Sequence, residues 1–67
     1  MSKEGTFLIY CIERYRYAKN LTGAEASELF DKYNLYDYII RFFESLHTMG
    51  ENLIVQDIDN RIENAFG

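Results

Sequence analysis

The chain has no tryptophan, no proline, one cysteine and one histidine among its 67 residues. Each shortage excludes something. Cys11 stands alone, so no intramolecular disulfide can form, and a thiol-reducing cytoplasm is its natural setting. One cysteine and one histidine need carboxylates at ligand spacing to hold zinc, and no such cluster is present. A Cys–His nucleophile needs a third group to orient the imidazole, and the spacing around His47 proposes none. There is no glycine-rich phosphate loop. Apolar runs are a few residues long, against the roughly 20 that a membrane helix needs. Met1-Ser2-Lys3-Glu4 leads into helical periodicity without a secretory apolar region. The expectation is a cytoplasmic protein with no membrane segment, metal or cofactor, and not an enzyme.

What is present favours a small folded domain. Six tyrosines, five phenylalanines and 48% hydrophobic residues oppose disorder. The length suits one domain over residues 1–67, of marginal stability because a chain of this size buries only about 60% of its extended surface. The net charge is −4 and unevenly spread. Residues 1–20 carry Lys3, Arg14, Arg16 and Lys19 against Glu4 and Glu13, a balance of +2. Residues 21–67 carry three cations against nine carboxylates, a balance of −6. Such a chain lacks the positive field that supplies most nucleic-acid affinity. The asymmetry instead suits orientation of a protein partner or self-association.

The strongest local signal is Thr22-Gly23-Ala24-Glu25. Thr22 and Glu25 have capping-box spacing, each side chain reaching the other's backbone amide. They open a helix over about 23–33 whose apolar stripe is Ala26, Leu29, Phe30 and Tyr33. Before it, Phe7, Leu8, Cys11, Ile12, Tyr15 and Ala18 mark a helix over 4–19, with Asn20 as a left-handed stop. After it, Leu35, Tyr38, Ile39, Phe42, Leu46 and Met49 predict a third helix ending at Gly50. Leu53-Ile54-Val55 suits a short extended segment near 51–56, followed by a helix that Asp57 caps. One helix from about 52 to 65, with Ile54, Ile58, Ile62 and Ala65 on a face, is the alternative. The fold expected is all-α, a compact bundle of three to four short helices.

Cys11, on an apolar stripe, reads as a small core residue. His47 reads as a partner for the last carbonyls of its helix. Asp57-Ile58-Asp59-Asn60 lacks the glycine and the distal glutamate of a calcium loop. Glu25, Glu28 and Asp31 form a helix face of carboxylates, with no paired acid and base held in a cleft. Tyr10, Arg14 and Tyr17 share a second face of the first helix, and these residue types are enriched at binding hot spots.

The series Phe7-Leu8-Ile9-Tyr10-Cys11-Ile12-Glu13, Ala18-Lys19-Asn20-Leu21-Thr22-Gly23, Glu28-Leu29-Phe30, Tyr33, Asp37-Tyr38-Ile39, Leu46-His47, Gly50 and Ile54-Val55-Gln56-Asp57-Ile58-Asp59 covers nearly the whole chain. It resembles a family of short all-helical bacterial proteins of unknown function, often encoded beside ADP-ribosyltransferase-like proteins. The resemblance implies an antitoxin-like or accessory role and carries over no catalytic residue. The function expected is a non-catalytic protein-interaction module. Its partner-binding candidates are Tyr10, Arg14, Tyr17, Asp57 and Asp59. The alternatives are a small helix-turn-helix-like DNA-binding regulator, with helices two and three as the motif, and a structural homo-oligomer.

Overall fold

Five helices run through residues 2–65, the part of the chain that the computed structural model describes. They are α1 (Lys3–Ala18), α2 (Gly23–Lys32), α3 (Leu35–Arg41), α4 (Phe43–Leu46) and α5 (Glu51–Asn64). The described residues contain no strand. The bundle is all-α as expected, with one helix more than anticipated, a single turn.

The first connections follow from local chemistry. Ser2 opens α1 by accepting from the Gly5 amide at 3.0 Å, and Glu4 sits in the first turn. Asn20 closes α1 with φ 56°. Its amide donates to the Tyr17 carbonyl at 3.2 Å, and the Leu21 amide donates to the Arg16 carbonyl at 2.9 Å. That pair of bonds is a Schellman motif, which satisfies carbonyls the helix end would leave open. Thr22 and Glu25 form both capping-box bonds, at 3.1 Å and 2.8 Å. Asn34, with φ 55°, separates α2 from α3. Asn tolerates this left-handed conformation better than other non-glycine residues.

Four expectations need correction. The extended segment at 51–56 does not exist, because α5 is helical from Glu51 onward. A helix places Ile54 and Ile58 on one face, and both are buried there; an extended piece would have had no strand to pair with. Asp57 therefore caps nothing and lies in the middle of α5. The third helical segment ends at Leu46 and not at Gly50, which is instead the N-cap of α5 at φ −73°, ψ 164°. Finally, the third helix breaks at Phe42 (φ −106°, ψ 26°), and α4 resumes for one turn. No proline or glycine marks the break. It accompanies a tertiary contact, in which Phe43 sets its ring against Phe7 of α1 at 5.4 Å.

All five helices feed one core. Cys11 and Tyr15 come from α1, Phe30 from α2, Leu35 and Ile39 from α3, Leu46 from α4, and Ile54 and Ile58 from α5. The Phe30 ring lies between Tyr15 at 5.9 Å and Tyr36 at 5.6 Å. Each fully buried large side chain contributes roughly 1.5–3 kcal/mol through removal from water. No helix of the described residues is long and apolar enough to cross a membrane.

Candidate functional site

The break at Phe42 creates the main surface feature. It lets α4 present Phe43 and His47 to the N-terminal half of α1. Lys3, Thr6, Phe7, Tyr10, Phe43, His47 and Met49 together line an open groove of about 660 Å³. Its floor is a run of rings. Tyr10 stacks on Phe7 (6.1 Å between centroids, 22°), Phe7 meets Phe43 edge-on (5.4 Å, 83°), and Phe43 stacks on His47 (4.7 Å, 9°). Offset and edge-on pairs of this kind suit the aromatic quadrupole and hold the rings in place. The imidazole is also tied down, because its Nδ1 lies 2.9 Å from the Phe43 carbonyl oxygen. A carbonyl only accepts, so Nδ1 carries the proton in this contact. That is the helix-end role expected of His47.

The candidate residues fall into separate groups. Tyr10 lines the groove and is 41% exposed. Arg14 stands 5.9 Å above the Tyr10 ring and pairs with Glu51 at 3.3 Å, joining α1 to the start of α5. Tyr17 is 76% exposed but does not line the groove. Asp57 and Asp59 turn toward the protein itself. The Tyr38 hydroxyl donates to Asp57 at 2.6 Å, while the Arg61 guanidinium lies 4.0 Å over the Tyr38 ring. The Tyr15 hydroxyl donates to Asp59 at 2.7 Å, and Lys19 pairs with the same carboxylate at 2.9 Å. These two aspartates anchor α5 to α3 and α1.

Burial, then the hydrogen bond to Asp57 and its charge, push the Tyr38 phenol up to about 12; Arg61 opposes this more weakly. Tyr15 is pushed up further, by burial first and then by Asp59. Burial also pushes the Cys11 thiol up to about 12, so it is protonated and inert at neutral pH. Among the described residues, no three His, Cys, Asp or Glu side chains gather as metal ligands.

Residues 6–65 match a family model described as protein of unknown function (DUF3791). The chain belongs to this family. No curated protein and no solved structure matches it. Within this family member, sequence reasoning found only Tyr10 among the groove residues. Lys3, Phe7 and Tyr10 do share one face of α1 at i, i+4 and i+7, which was a usable signal. Phe43, His47 and Met49 join them only through the break in the third helical segment, which nothing in the local sequence announces.

Proposed function

We propose that the chain is a non-catalytic protein-interaction module that seats part of a partner protein in the aromatic groove. The carrying observation is the groove itself, with rings packed in series and Tyr10 and Met49 left 41% and 37% exposed. Tyrosine is enriched at hot spots, and methionine adapts to apolar partners. The apolar surface continues past Met49 to Leu53, which is 57% exposed on the first turn of α5. Contiguous apolar surface of this kind marks interaction sites. The non-catalytic reading draws support from the protonated, buried Cys11 and from His47, whose Nδ1 is committed to a backbone carbonyl. The resemblance to proteins encoded beside ADP-ribosyltransferase-like proteins supports a finer reading. The partner is a neighbouring toxin-like enzyme, and the module neutralises or assists it.

A DNA-binding reading draws less support. The recognition helix would be α3, whose single cation, Arg41, pairs with Asp37 at 3.1 Å.

Tagged chain expressed at native level in its own host tests the proposal. Native protein is expected to retain one stoichiometric partner that the Tyr10→Ser, Met49→Ser double variant loses at unchanged melting temperature. The purified pair then shows the same loss by calorimetry. Equal binding by both forms overturns the groove as the docking surface. Recovery of the chain alone, with light scattering showing a defined oligomer, replaces the module by a self-assembling protein.

A further inference from the structure

We infer that the groove selects a segment of its protein partner that carries a carboxylate beside an apolar side chain. This rests on the interaction-module reading and specifies the partner's chemistry. The argument is one of charge. The chain holds eleven acidic and seven basic side chains, yet the groove lining contains, among the described residues, Lys3 and no carboxylate. Glu4 and Glu44, chain neighbours of lining residues, do not line it. Lys3 is exposed and forms no ion pair among the described residues, whereas Arg14 beyond Tyr10 shares its charge with Glu51. Among the described residues, the ammonium at the N-terminal turn of α1 is thus the uncompensated charge on the rim.

The polar groups of the lining are few. Thr6 and Lys3 are exposed on the outer turn of α1, His47 spends its Nδ1 on the Phe43 carbonyl, and the rings of Phe7, Tyr10 and Phe43 with Met49 form the remainder of the wall. A small-molecule site has several polar groups converging on its ligand. An apolar wall with a single rim cation fits an amphipathic peptide segment better. The apolar side chain lies on Phe7, Tyr10 and Phe43, and the carboxylate faces Lys3. Rim charges of this kind set specificity and association rate more than total affinity.

A phage-displayed random peptide library, panned on the full-length chain, tests this directly. Enriched peptides are expected to combine an aromatic or aliphatic residue with an aspartate or glutamate. Synthetic copies of them should bind about fivefold more weakly to Lys3→Glu, the scale of one exposed ion pair. Their affinity should also fall as salt rises. Panning on Lys3→Glu should enrich basic peptides instead. Enrichment of uncharged peptides, or binding indifferent to Lys3→Glu, overturns the charge selection. Failure to enrich any peptide overturns a linear segment as the occupant. Groove resonances, Tyr10 and Met49 above all, that shift with the protein's own concentration would make the occupant a second copy and overturn the inference. Loss of the host partner in Tyr10→Ser, Met49→Ser, with no effect of Lys3→Glu, leaves the module standing and removes only the acidic partner.

Discussion

Tyr15 and Asp59 lie 44 residues apart in the chain and share a 2.7 Å hydrogen bond that ties α1 to α5. Tyr15 is 3% exposed and its ring packs against Phe30, so the hydroxyl reaches the carboxylate from inside the core. Lys19 completes the contact from outside, 2.9 Å from the other carboxylate oxygen. Tyr38 and Asp57 form a second phenol–carboxylate bond, between α3 and α5, where the Arg61 guanidinium lies over the Tyr38 ring. The last helix is therefore held by two phenol–carboxylate bonds as well as by Ile54 and Ile58.

Tyr15→Phe keeps the ring in the core and deletes the hydroxyl. It is expected to lower stability by about 1.5 kcal/mol, because a hydrogen bond to a charged group is lost while Asp59 keeps Lys19. Lys19→Ala should cost less, up to about 1 kcal/mol, since that pair is open to solvent. Urea denaturation of the three proteins checks the order. Equal midpoints for Tyr15→Phe and the native chain would show that the bond adds nothing net.

Alkaline pH should act on the same contacts. Both phenols are raised above their ordinary value of 10, Tyr38 to about 12. Folded and unfolded chains both keep these protons below pH 10, so the stabilisation is whole there. Above it the unfolded chain ionises first, and stability drains away as pH approaches 12. The urea midpoint should accordingly fall over that window, and Tyr15→Phe, Tyr38→Phe should flatten the fall. An equally steep decline in the double variant would assign it to other groups.

Cys11 is fully buried with a raised pKa. A thiol-alkylating reagent at mildly alkaline pH should leave the native chain unmodified and react only as it unfolds, because the thiolate is the nucleophile. Mass spectrometry across a urea series should show labelling that follows the unfolding curve. Rapid modification in buffer would mean that α1 opens locally.

Two backbone positions should respond in opposite directions. Gly50 caps α5 in an extended conformation with no side-chain bond, and a Cβ there would meet nothing within 4 Å. Gly50→Ser should stabilise by about 0.5–1 kcal/mol through an added cap and a stiffer unfolded chain. Asn34→Ala should destabilise by about 1 kcal/mol, since alanine resists the left-handed conformation at φ 55°. Thermal melts followed by circular dichroism read both. Destabilisation by Gly50→Ser would show that α5 needs its present entry.

The comparison of pattern with structure divides by range. The capping box at Thr22 and Glu25, the left-handed Asn20 and the core roles of Cys11, Phe30, Leu35 and Ile58 were legible. Each depends on neighbours within a turn or on one helical stripe. In sequence Asp57 reads as a helix cap and, with Asp59 two residues on, as part of a partner-binding surface. Their tyrosine partners lie 19 and 44 residues away on different helices. The β-branched run around Ile54 pointed to an extended piece, and the core's need for Ile54 and Ile58 on one face overrode that weak preference.

By itself, the sequence determined an all-helical chain, the first two helices with their caps, and the stripes that form the core, because periodicity and capping act over three or four residues. Tertiary structure alone decided the break at Phe42, the choice of a continuous α5 over the extended segment, the two tyrosine–aspartate ties and the aromatic groove. Those features depend on which helices come together in space, and a side chain such as Phe43 takes its place only when Phe7 is there to meet it.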